Sequence, residues 1–182
     1  LCRAYDQGVP VCIAGTAFAF VALLDALSGT ALPTRPLSRI METGGFKGRT
    51  RTVERGELYE ALARCFGIDT ELIVAEYGMT ELCSQYYDAP GSGRRARGER
   101  AKIGPPWVRA QIVGADGREV APGEIGVLRH VDLANRGSVI AVETEDLALR
   151  LPGDAFVLLG RDPQARLRGC SLDVEELSPG RG

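Results

Sequence analysis

Five consecutive residues, Tyr77-Gly78-Met79-Thr80-Glu81, bring together the kinds of group from which a nucleotide site is made. An aromatic ring stacks on a base, a glycine admits close approach to the backbone, a hydroxyl donates a hydrogen bond, and a carboxylate suits a hard cation. The apolar run Leu72-Ile73-Val74-Ala75 leads directly into them, so they stand at the carboxyl end of an apparent buried strand. In α/β sheets that is where polar groups face a ligand. Tyr77 also reads as a half-buried aromatic that simply closes the strand.

Other residues extend this chemistry. Gly44 and Gly45 follow a second short strand, and their missing side chains would let a flat base lie against the backbone. The surrounding GGFKGRT is one residue short of a P-loop and has Arg49 where the lysine should be, which argues against a Walker site. Asp146 ends the run Glu143-Thr144-Glu145-Asp146, and a carboxylate there can accept hydrogen bonds from two hydroxyls. Arg161 follows Gly160 after another strand; Glu143, Glu145, Arg161, Lys47 and Arg49 all read equally well as surface charge. Cys170 has Arg166, Arg168 and Gly169 beside it, a setting that favours thiolate, although a small buried residue fits as well. His130 is the only histidine and lies within the strand-like Leu128-Arg129-His130-Val131, so it reads as structural. With one histidine and five scattered cysteines lacking C-x-x-C spacing, a transition-metal site is not expected.

The elements that must position these groups follow from periodicity. Residues 9–14 read as a strand and 16–27 as a hydrophobic helix ended by Ser28-Gly29. Residues 39–42 form a short strand; Leu58, Leu62, Cys65 and Phe66 then share one helical face, with Gly67 as the stop. With 72–76 as the next strand, the first half alternates strand and helix as a parallel α/β sheet requires. After Asp88 the texture changes. Short strands at 108–113, 125–131, 139–143 and 155–159 are separated by turns, including Asp116-Gly117, a hairpin signal. The expected fold is therefore α/β: a partial parallel-sheet subdomain over 1–93, a small mainly β subdomain over 94–160, and a hinge-like segment with a tail over 161–182. Arg94, Arg95, Arg97, Arg100 and Lys102 read as a solvated loop without the interleaved aromatics that stack on single strands.

The chain has 182 residues and a formal net charge of -2, which gives no overall basic footprint and argues against a dedicated nucleic-acid binder. The odd number of cysteines fits a reducing cytoplasm. The apolar stretch 9–27 is interrupted by Gly15, Thr16 and Asp25 and suits a strand and helix better than a membrane span. Leu1 is not a start residue, and no Ser/Thr/Gly-rich loop precedes the first strand, so the chain reads as a fragment incomplete for activity.

YGMTE resembles the Y-G-x-T-E signature of the adenylate-forming enzymes, which include acyl-CoA synthetases, luciferases and peptide-synthetase adenylation domains. Gly104-Pro105-Pro106 with VRAQIVGADGREVAPGEIGVL, then Thr144-Glu145-Asp146 for T-G-D, then Gly160-Arg161 with Arg168-Gly169, are similar to later family segments in the same order. Within the superfamily, METGGFKGR, EYGMTELCSQYYD, DLANR and RGCSL resemble the LuxE-type acyl-protein synthetases of the bacterial aldehyde-forming system. The resemblance implies an acid–thiol ligase that uses ATP and Mg2+ to activate a fatty acid or other small carboxylic acid as its adenylate. The acyl group then passes to a protein thiol, with an acyl reductase or acyltransferase as partner. It implies Gly44, Gly45, Tyr77 and Gly78 against the adenine, Thr80 on the phosphate, and Glu81 on the metal. Asp146 and Arg161 would hold the ribose or phosphate, and Cys170 would accept the acyl group. A CoA ligase of the phenylacetate type, or a non-catalytic nucleotide- or partner-binding module, are the alternatives. Glu145 replaces the glycine of T-G-D, which sets the latter apart from a standard site.

Overall fold

The structure, a computed structural model, describes residues 2–44, 53–89 and 100–162. Its strands form one sheet, in the order β1-β2-β3-β4-β5-β9-β8-β7-β6. A short helix α1 (Cys2–Asp6) leads to β1 (Cys12–Thr16), α2 (Ala17–Leu27), β2 (Arg39–Thr43), α3 (Arg55–Phe66), a 3-10 turn and β3 (Ile73–Tyr77). These three strands are parallel, with Ile40 beside Ile73 and Glu42 beside Ala75. Beyond them every pairing is antiparallel, through β4 (Tyr86–Asp88), β5 (Ala101–Ile103), β6 (Val108–Val113), β7 (Ile125–Asp132), β8 (Ala141–Arg150) and β9 (Phe156–Arg161).

Local chemistry sets the ends of these elements. Thr16 caps α2 by accepting a bond from the Ala19 amide at 3.1 Å. Gly67 ends α3 in the left-handed conformation, φ 64°, as its position predicts. Leu58, Leu62, Cys65 and Phe66 turn inward and pack with Phe20, Ile40 and Ile73 into one core between the helices and the parallel strands. A second core, of Tyr86, Val108, Ile112, Leu128, Ala148 and Phe156, lies within the antiparallel part. The α/β class and the mainly β second half are thus as expected.

Three details differ from the expectation. The strand expected at 139–143 begins at Ala141 and runs to Arg150, because its acidic residues have partners: Glu143 pairs with Arg129 across the ladder at 2.6 Å. The strands β4 and β5, too short to leave a periodicity, join the parallel and antiparallel parts. Arg100 and Lys102 do not belong to a solvated loop, since their side chains are 11% and 3% exposed beside the buried Asp88. The boundary near Gly93 and Arg94, Arg95 and Arg97 lie outside the described residues, as does the tail from 163 onward. No helix among the described residues is long and apolar enough to cross a membrane.

Candidate functional site

Tyr77 is the last residue of β3, and the following loop carries Gly78, Thr80 and Glu81 before β4 turns back alongside. The Tyr77 hydroxyl donates to Asp146 Oδ2 at 2.7 Å. Asp146 sits on β8 directly opposite Arg161 on β9, whose Nε is 3.9 Å from Asp146 Oδ1. Three residues singled out from distant parts of the sequence therefore meet in one cluster. Glu145 is exposed and lacks the positive φ for which a glycine would be needed, but the β7–β8 register shifts here, with residues 144–146 of β8 opposite Leu128 alone. Thr144 braces the segment, with its hydroxyl accepting from the Asp146 amide at 3.0 Å and donating to the Leu128 carbonyl at 2.8 Å.

Behind Tyr77 lies His130, fully buried. Its Nδ1 is 3.0 Å from the Tyr86 hydroxyl and its Nε2 3.4 Å from that of Tyr77. Tyr77 already donates to Asp146, so a neutral imidazole protonated at Nε2 and accepting from Tyr86 satisfies both contacts. Burial pushes the His130 pKa down to about 4, against a smaller upward pull from Asp146 and Asp132. Burial also raises the Tyr77 hydroxyl, and the Asp146 carboxylate adds to the shift. Both groups stay neutral at physiological pH. His130 is structural, as its place in a strand indicates.

On the other side, a groove of about 300 Å3 is lined by Glu42, Gly44, Arg55, Leu58, Leu158 and Gly160, among others. Gly44 sits at its edge with φ +71°, a left-handed value that favours glycine. Glu42 is 1% exposed and was not singled out in the sequence. Its Oε2 accepts from Tyr59 at 3.0 Å and lies 3.9 Å from Arg55 Nε, while burial raises its pKa. No spacing signal marks Glu42, because its partners Arg55 and Tyr59 lie on α3, further along the chain.

Gly78 has a steric reason: a Cβ there would stand 2.5 Å from Glu76 Oε1, and Glu76 is itself engaged by the Thr43 hydroxyl. Thr80 and Glu81 are exposed on the loop, with the Thr80 hydroxyl donating to Glu81 Oε2 at 3.1 Å. Neither touches the Tyr77–Asp146 cluster. Gly45 and Cys170 lie outside the described residues.

No protein-family model and no curated protein matches the sequence. Solved structures do match the fold. The chain superposes on McyG A-PCP complexed with phenylalanyl-adenylate with a TM-score of 0.60 and 17% identity, covering 89% of this chain and 32% of that one. For a benzoate CoA ligase from Burkholderia xenovorans LB400 the values are 0.57 and 18%, over 88% and 33%. For the O-succinylbenzoate coenzyme A synthetase MenE from Bacillus subtilis, in complex with ATP and magnesium ion, they are 0.57 and 20%, over 88% and 33%. The fold is that of the adenylate-forming enzymes. The chain spans about a third of the length of each of these three.

The exposed oxygens on the loop after β3 are of the kind that suits a hard cation such as magnesium. Glu81 and Thr80 offer exposed oxygen ligands, and no group of three or more His, Cys, Asp or Glu among the described residues forms a closed metal cage. A small hard cation that keeps waters and phosphate oxygens needs only one or two carboxylates.

Proposed function

We propose that this chain is the part of an adenylate-forming ligase that holds AMP, and that the whole protein activates a carboxylic acid with ATP and passes the acyl group to a thiol. The observation that carries this reading is the meeting of Tyr77, Asp146 and Arg161 next to the Gly44 groove, within an adenylate-forming fold. Tyr77 and Gly44 are suited to flank the adenine, and Asp146 and Arg161 to take the ribose hydroxyls or phosphate. We assign Thr80 to the α-phosphate and Glu81 to Mg2+. When bound, Mg2+ would offset charge on the phosphates.

The acid's carboxylate oxygen attacks the α-phosphorus and pyrophosphate departs, giving acyl-AMP. A thiolate then attacks the acyl carbon and AMP leaves, which is favourable because AMP is a far better leaving group than a carboxylate oxygen. Hydrogen bonds from Thr80 and Arg161 would stabilise charge that develops on phosphate during both steps. Following the likeness to LuxE-type enzymes, we assign a fatty acid as substrate and Cys170 as acceptor, with an acyl reductase or acyltransferase as partner. The fold similarity to the benzoate CoA ligase and to MenE supports a second reading, in which the acceptor is CoA.

Full-length protein should catalyse acid-dependent exchange of pyrophosphate into ATP, and Glu81→Gln or Thr80→Ala should sharply reduce it. Exchange undiminished in both variants would remove the loop from the site. In the same assay with radioactive fatty acid, hydroxylamine-sensitive protein label that Cys170→Ser abolishes supports the protein-thiol acceptor. Label that persists in Cys170→Ser, or appears as acyl-CoA, moves the assignment elsewhere.

A further inference from the structure

We propose that Asp132 and Asn135, both buried, are positioning residues that fix the Thr80–Glu81 loop from the end of β7 and the turn after it. Asp132, at the end of β7, is 0% exposed, and four donors converge on its carboxylate. Its Oδ2 accepts from the Cys83 amide at 3.0 Å and the Ser84 amide at 2.9 Å; its Oδ1 accepts from the Ser84 hydroxyl at 2.9 Å and the Ala134 amide at 3.0 Å. A carboxylate has about four acceptor sites, so Asp132 is fully used in tying the base of the loop to β7. Asn135, 5% exposed, donates from Nδ2 to the Glu81 carbonyl at 2.7 Å and the Val139 carbonyl at 2.9 Å. Its Oδ1 accepts from Cys83 Sγ at 3.5 Å.

The backbone of Glu81 is thereby held while its carboxylate stays exposed. Trp107 joins the same lock, with its Nε1 donating to Ser84 Oγ at 3.1 Å, and as the only tryptophan of the chain it reports on the loop. An exposed loop would otherwise sample many conformations, and a misplacement of the order of 1 Å costs about a hundredfold in rate. The sequence contains Asp132 and Asn135 in DLANR, yet nothing there tells that their side chains reach back to the loop.

The catalytic part of the test rests on the function proposed above; the structural part does not. In full-length protein, Asp132→Asn places an amide NH2 against backbone donors, and Asn135→Ala removes the bond to the Glu81 carbonyl together with those to Val139 and Cys83. Both should lower kcat of pyrophosphate exchange about tenfold or more while leaving KM for the acid within a few-fold. Both should also raise amide hydrogen exchange over residues 80–84, and Asp132→Asn should shift Trp107 emission. Asn135→Ala keeps the test valid if Asp132→Asn fails to fold. If wild type exchanges pyrophosphate and Asn135→Ala matches its kcat, the positioning role is wrong. If wild type shows no exchange, the functional reading fails instead, and unaltered amide exchange in Asn135→Ala would then overturn the clamp itself.

Discussion

Two aspartates, Asp88 at the end of β4 and Asp146 within β8, carry opposite kinds of charge cluster. Asp88 is closed: its Oδ1 takes Lys102 Nζ at 2.7 Å, and its Oδ2 takes the Ala75 amide at 2.8 Å and Arg100 at 3.3 Å. Lys102 adds a bond to the Ala75 carbonyl at 2.7 Å, and Arg100 lies over the Tyr59 ring at 4.8 Å. Asp146 is open: one firm bond comes from Tyr77, Arg161 stands off at 3.9 Å, and the two side chains are 19% and 43% exposed. A closed cluster has spent its hydrogen-bonding capacity on the fold, whereas the partly exposed Asp146 carboxylate keeps acceptor sites toward solvent. The difference is one of burial and saturation, which composition does not reveal.

The sharpest way to break this comparison is to remove the closed partner. Asp88→Ala leaves Lys102 buried without its counter-charge and should cost about 3–5 kcal/mol of unfolding free energy. Urea denaturation measures it. Burial, with a smaller push from Arg55, drives the Lys102 pKa down and Asp88 opposes that shift, so replacing both Asp88 and Lys102 by apolar residues of similar volume should recover most of the loss. A cost near zero for Asp88→Ala would mean that the cluster is not buried in solution and that closed and open are not distinct.

The second effect concerns the wall shared by the open cluster and the antiparallel core. His130 is held down to about 4 in the folded chain, below the roughly 6.5 of an unfolded one. The unfolded state therefore takes up the proton first as pH falls. The stabilising contribution of neutral His130 is complete above about pH 6.5 and is lost progressively down to about pH 4, amounting to about 3 kcal/mol. Denaturation midpoints across that range should fall in wild type and fall less in His130→Gln. Equal slopes would place His130 in water.

How much of this was legible in the sequence depends on where each partner lies. The α3 stop at Gly67, the inward face of Leu58, Leu62 and Phe66, and the strand leading to Tyr77 are local patterns, and the structure has them. Gly78 within YGMTE is local too, since the clash it avoids is with Glu76, two residues away. Arg100 and Lys102 read as loop charges, and Asp88 gave no signal, because β4 and β5 are three residues each and their pairing depends on a sheet assembled from distant strands. Glu42 and Asp132 were silent for the same reason: each is satisfied by groups from an element far along the chain. Tyr77 was singled out by its place after an apolar run and Asp146 and Arg161 by motif order, and nothing local to any one of them predicts a 2.7 Å bond across 69 residues.

The most direct measurement is titration of wild type, Asp146→Ala and Asp88→Ala with ATP and Mg2+ by calorimetry, with urea denaturation of each beside it. Loss of a charge-assisted bond is worth about 1.5–3 kcal/mol, so Asp146→Ala should weaken nucleotide binding about tenfold to a hundredfold while its unfolding midpoint stays close to that of wild type. Asp88→Ala should show the reverse, a large fall in stability and, where folded, near-normal affinity. Unchanged nucleotide affinity in Asp146→Ala would contradict the account and remove the open cluster from the nucleotide site.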